Sequence, residues 1–222
     1  MKERDSLKAA LRDRIAEAQP DGTYDAATYE AVEAAIKALV PLNPIASPAL
    51  EQARVSGPWG TLFAQFGAKH TAGKPVAHDS TLATQTFNKL PKVPVRVLSI
   101  DQEIDHEDRH YNNVVTVAPP DGGHEAHLII WGRYDVSAET PQRYAIRFYA
   151  VELMPGAGRS AAQLRTDFGL DPEKPLRVDM SAPDLHSDIV YCDDDLRINY
   201  GSLGGIYVLE RLHHKGHSVL FA

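Results

Sequence analysis

The chain has 222 residues, 43% of them hydrophobic and 24% charged, with 15 Gly and 15 Pro. That composition excludes a disordered, collagen-like or membrane-spanning chain and suits one medium-sized domain, or a small domain with an appendage, large enough to bury a core. Counting 23 basic against 30 acidic side chains gives a net charge of −7, so nucleic acid is not an expected partner, and the lone Cys192 excludes an intramolecular disulfide, a zinc ribbon and a CxxC redox pair.

From Met1 to Ala16 charge alternates with alanine, without the apolar run of a secretory signal, and the longest apolar stretches, such as Leu128 to Trp131, fall far below the roughly 18 residues that span a bilayer. A cytoplasmic protein is expected, with peripheral membrane contact compatible. Leu7, Leu11, Ile15 and Ala18, with Ala10 between them, recur on one face and predict a helix ended by Pro20 and Gly22. Tyr29, Val32, Ile36, Leu39 and Val40 predict a second, with Asp25 as its N-cap and Pro41 as its stop. The pair reads as a helical hairpin. Pro41, Pro44 and Pro48 then require an extended connector. The chain therefore divides into an N-terminal helical segment with its Pro-containing connector, 1–50, and a β domain, 51–222.

After Gly57 the pattern becomes short apolar runs separated by turn residues: Trp59 to Phe66, Val95 to Ile104, Tyr111 to Val117, Ala126 to Tyr134, Tyr144 to Leu153, Asp188 to Cys192, Leu196 to Tyr200, Ile206 to Leu212 and His217 to Phe221. This spacing predicts an all-β barrel or sandwich. Alternation is clearest where Leu196, Ile198 and Tyr200 oppose Asp195, Arg197 and Asn199, giving one apolar and one polar face. Tyr144, Ile146, Phe148 and Ala150 make a second such face. Two connections, Gly67 to Pro94 and Met154 to Ser187, are longer than hairpins need and read as lids or binding loops, the second with a short helix over Ser160 to Phe168.

Ser56-Gly57-Pro58-Trp59 opens the first strand, where glycine permits the entering turn and the indole suits the plugged end of a barrel. Late in the chain comes Tyr191-Cys192-Asp193-Asp194-Asp195-Leu196-Arg197-Ile198-Asn199-Tyr200-Gly201, followed by Gly204, Ile206, Tyr207, Val208 and Leu209. Together these segments resemble the plastid lipid-associated protein, or fibrillin, family, in which a Trp-bearing first strand accompanies a late Tyr-Leu-Asp-x-Asp-Leu-Arg-Ile-x-Arg-Gly segment. The resemblance extends to Ala34-Ala35-Ile36 through Leu42-Asn43-Pro44 and touches Gln102, Ile104, Asn113 and Phe148, about half of the chain. It implies a mainly β fold, a lipocalin-like antiparallel β-barrel behind an N-terminal helical hairpin, associated with lipid or isoprenoid-type molecules and with no established catalytic set or cofactor. Gly60, Cys192 and Tyr200 depart from the family pattern, and the absence of a transit peptide makes the chain look like a bacterial relative.

The resemblance also implies that Arg197 lies across Trp59 as a structural latch, together with Gly57, Asp193, Asp195 and Gly201. Asp193, Asp194 and Asp195 offer oxygen ligands to a hard cation, but adjacent strand residues point oppositely, so an Asp-rich turn is the expected role. His106 with His110, His124 with His127, and His213 with His214 and His217 invite a zinc reading, yet their spacing on strands and turns does not bring three donors together. Cys192 takes a family leucine position and is expected in the core, and Gly201 to Gly205 joins two strands as a hairpin rather than a phosphate loop. Trp131, Tyr134, Tyr144, Phe148, Tyr149, Tyr200 and Tyr207 lie on predicted strands. Of these Trp131, Tyr144, Phe148 and Tyr200 are candidate ligand contacts, with Arg133 and Arg147 as candidates for an anionic head group. The expected function is non-enzymatic binding of an apolar small molecule or lipid. The alternatives are a scaffold docking a lipid or isoprenoid biosynthetic enzyme, or a His-dependent metal hydrolase.

Overall fold

Apolar residues four apart among good helix formers set α1 (Lys2–Ala16), which buries Lys8, Leu11 and Ile15. Asp25 caps α2 (Ala26–Leu39) by accepting from the Thr28 amide at 2.7 Å, and Tyr29, Val32, Ile36 and Leu39 form its buried stripe. Pro41 converts the last turn into a 3-10 segment, Val40–Leu42, and the connector then carries Ile45 and Ala49 to α3 (Gln52–Val55). The structure is a computed structural model that describes residues 2–18, 24–65, 80–181 and 183–213. The expected helix stop at Pro20 and Gly22, Phe66, residues 67–79 of the first long connection, His214, and the last apolar run, His217 to Phe221, lie outside the described residues.

After α3 the chain runs through β1 (Gly57–Gln65), β2 (Ser80–Thr81), α4 (Leu82–Gln85), β3 (Pro94–Asp105), β4 (His110–Ala118), β5 (Ala126–Val136), β6 (Arg143–Pro155), α5 (Ala161–Asp167), β7 (Arg177–Asp179), β8 (Leu185–Cys192), β9 (Leu196–Gly201) and β10 (Ile206–Arg211). Among the described residues, eight of these strands form a closed antiparallel barrel in the order β1-β10-β9-β8-β6-β5-β4-β3, and Gly57–Gly60 of β1 return to pair with Asp101–Ile104 of β3. Closure leaves the long strands without free edges. No helix among the described residues is long and apolar enough to cross a membrane.

The barrel has two unlike ends. At one, Trp59, Ile104, Tyr134, Tyr144, Cys192 and Leu209 pack with Ile45, Ala49 and Val55 from the connector and α3. At the other, the long connections fold inward: Leu82 and Leu90 around α4, and Leu164 and Phe168 around α5, join Val97, Val117, Leu128 and Leu153. A second, separate core lies outside the barrel wall. Leu11, Ile15, Val32, Ile36 and Leu39 of the helices bury Phe63, Tyr191, Leu196, Ile198 and Val208 from β1, β8, β9 and β10.

This second core reverses the usual sense of the β9 alternation. Leu196 and Ile198 face outward beneath the helices, while Arg197 and Asn199 sit on the barrel side, and all four are buried. Bulges between Thr61 and Phe63 and between Ile189 and Tyr191 shift the pleat, so that Phe63 and Tyr191 also turn toward the helices.

Candidate ligand site

Trp59 anchors the closed end. Its ring meets the guanidinium of Arg197 at 4.7 Å and that of Arg211 at 4.2 Å from the centroid, and its Nε1 donates to the Val55 carbonyl at 2.8 Å. Gly57 enters the strand at φ +122°, and a Cβ there would lie 2.9 Å from Nη1 of Arg211. Asp193 makes the turn into β9: its Oδ1 accepts from the amides of Asp195 at 3.1 Å and Leu196 at 2.9 Å. Its Oδ2 accepts from Lys8 Nζ at 2.8 Å and from Tyr191 Oη at 2.5 Å, and Asp195 pairs with Lys8 and Arg12. Burial alone would raise the Asp193 pKa, but the hydrogen bonds from Lys8 and Tyr191 hold it far below the usual carboxylate range. Asp193 and Asp195 therefore act as the dock for α1.

Arg197 is completely buried. Its Nη2 donates to Gln102 Oε1 at 2.5 Å, while Nε and Nη1 have no hydrogen-bond partner. Burial pushes its pKa down. Gln102 Oε1 also accepts from Tyr111 Oη at 3.0 Å, and Gln102 Nε2 donates to Asn113 Oδ1 at 3.2 Å. Gln102 and Asn113 are register partners on β3 and β4, and both point into the barrel.

Above this polar layer the barrel is not filled. A cavity of about 110 Å³ is lined by Ile100, Tyr111, Ile146, Phe148, Leu185 and Tyr207 on its apolar sides, with Thr61, Gln102, Asn113, His186 and Ser187 among its polar contacts. Gly201, Ser202 and Leu203 of the β9–β10 turn form part of its mouth, where Leu203 is 70% exposed, and the Phe87 ring, itself half exposed, lies 6.5 Å from that of Phe148. The mouth thus opens at the end of the barrel that carries the long connections.

The sequence-derived ligand candidates separate on this geometry. Phe148 lines the cavity, as does Gly201 of the latch set. Tyr144 faces the interior nearer the closed end, stacked on Tyr134 at 4.2 Å. Trp131 lies on the outer surface, donating to Glu152 at 2.9 Å with the Arg177 guanidinium 5.6 Å from its ring. Arg133 and Arg147 line an external groove with Asp108, Arg109 and Asp135, and Tyr200 packs toward the helices. Gln102 and Asn113 are the polar interior residues that mattered. Each interrupts an inward apolar series, Ile100-x-Gln102-x-Ile104 and Tyr111-x-Asn113-x-Val115, a signal readable from the chain once the inward phase is known.

Cys192 is buried and its pKa is pushed up to about 11, chiefly by burial, so it remains a thiol at neutral pH. Ser187 Oγ accepts from Asn199 Nδ2 at 3.0 Å, and no hydrogen bond joins it to the neighbouring His186. Among the described residues, no group of three His, Cys, Asp or Glu side chains is placed to hold a metal ion.

The family model described as PAP_fibrillin matches residues 5–210, nearly the whole chain. No curated protein and no solved structure matches.

Proposed function

Because the chain belongs to the PAP_fibrillin family, a lipid-associated one, and its barrel keeps a space lined by apolar and aromatic side chains, we propose that it binds an apolar small molecule of lipid or isoprenoid type without transforming it. The observation that carries the reading is the unfilled interior: a solid barrel would place large side chains where Ile100, Ile146, Phe148 and Leu185 leave a void open to solvent. The size of the void limits what enters. An apolar cavity of about 150 Å³ takes one benzene ring, so the smaller 110 Å³ here holds a short stretch of chain or a small head group, and the rest of a longer ligand lies at the mouth. Gln102 is bonded to Asn113 and Tyr111, and Ser187 to Asn199 rather than to the neighbouring His186, an arrangement that supports binding rather than turnover.

A Trp131→Phe variant leaves Trp59, beyond the polar layer, as the only indole reporter. Titration with a short prenylated quinone is expected to quench it saturably, with little response to salt because apolar burial dominates. Mass spectrometry of a solvent extract from the purified protein is expected to show a retained lipid. Absence of saturable quenching together with a lipid-free extract would reject the reading in favour of a scaffold that docks a biosynthetic enzyme.

A further inference from the structure

We propose that the cavity takes its ligand acceptor end first, with a carbonyl or carboxylate oxygen against Asn113 and Ser187 and the apolar remainder directed toward Leu203 and Phe87 at the mouth. This rests on the binding reading above and assigns the chemical class and the orientation of the ligand.

The argument follows the direction of the hydrogen bonds. An arginine can only donate, so Arg197 fixes which end of the Gln102 carboxamide faces it: the oxygen, which also accepts from Tyr111. The Gln102 nitrogen is thereby turned to Asn113 and occupies its Oδ1. That in turn leaves the Asn113 Nδ2 as the free end of the second carboxamide, on a side chain that lines the cavity. One buried cation has thus oriented two amides in series and brought N–H to the ligand side. Ser187 adds to this, because its oxygen is taken by Asn199 Nδ2 and its own proton is available to donate.

Charge points the same way. Arg197 is buried with Nε and Nη1 unpartnered, and among the described residues no Asp or Glu lines the cavity. The interior therefore carries an uncompensated positive field in a medium that screens it poorly, which favours an oxygen bearing partial or full negative charge and opposes an ammonium. At the opposite end of the cavity, exposed Leu203 and Phe87 present apolar surface where a chain would emerge.

The test is calorimetric titration of the native protein with octanoate, methyl octanoate and octylammonium, which share a chain and differ in head group. Octanoate and the ester are expected to bind, and octylammonium about tenfold or more weakly, the scale of one charge-assisted hydrogen bond. A carboxylate stronger than its ester assigns the anionic head, and equal binding assigns the neutral carbonyl; both support the orientation. Asn113→Asp replaces the donor by an acceptor of the same shape and is expected to abolish the preference for octanoate over octylammonium. Asn113→Leu, which adds no charge, is expected to weaken the acid and the ester while sparing binding of octane. Equal affinity for all three probes, or an Asn113→Asp protein that folds and keeps the native preference, would overturn this inference and leave the proposed function standing. Failure of every probe, including octane and the palmitate and hexadecylammonium homologues, would overturn both.

Discussion

Trp59 shows how a single side chain closes the barrel: its ring is fully buried and contacted by two guanidiniums, and its nitrogen reaches back to α3. Removing it would leave Arg197 with neither its ring nor an ionic partner. Trp59→Ala is expected to destabilise by about 3–5 kcal/mol, the range for emptying a buried aromatic site, and a thermal melt within error of the native one would reject that role. Asp193 has a different signature. Its folded pKa lies below its unfolded value, so the carboxylate contributes stability that is complete above about pH 4 and declines as pH falls further, toward the folded pKa. Unfolding midpoints measured from neutral to about pH 2 are expected to drop on the acid side in the native protein. Asp193→Asn, less stable at neutral pH, is expected to flatten that limb; an unchanged acid profile would rule out the Lys8–Asp193 contact as its source.

At the scale of elements, β9 explains why one alternating pattern admitted two readings. Period-two alternation separates Leu196 and Ile198 from Arg197 and Asn199 but does not say which set is inside, because a strand covered on both faces has no solvent side. What decides is the helical pair, whose own stripe was legible in Leu11, Ile15, Val32, Ile36 and Leu39 but whose docking partner was not. The two bulges were equally hidden, since a one-residue insertion changes facing without changing composition. The same ambiguity bears on Arg133 and Arg147, candidates for an anionic head group, which line an external groove and not the barrel cavity. Because the helices cover Phe63, Tyr191, Leu196, Ile198 and Val208, deleting residues 2–40 is expected to expose a contiguous apolar wall and convert the protein to aggregates on size exclusion. A monodisperse truncated barrel with native β circular dichroism would show instead that the wall is stable uncovered.

For the molecule as a whole, the mainly β architecture was legible in the spacing of apolar runs, and its closure into a barrel followed from the family resemblance carried by Trp59 and the Asp193–Gly201 segment rather than from periodicity. The interior void was not legible, because it depends on which side chains meet across the barrel: small Gly201 and Thr61 face the same space as Ile100 and Phe148. The β1 pairings described above also govern how the chain reaches this state. β1 is held on one side by β3 and on the other by β10, so its second partner is separated from it in sequence by all the other strands. During synthesis, α1, α2 and the β3–β6 meander can assemble from neighbouring sequence, but β1 waits with one ladder unmade until Ile206–Arg211 has left the ribosome. Loop entropy makes such a late, distant pairing slow, on the order of milliseconds to seconds. For that interval the nascent chain carries unpaired edges on β1 and β9, and the helices, already able to settle on part of the wall, serve as its first protection against association with other chains.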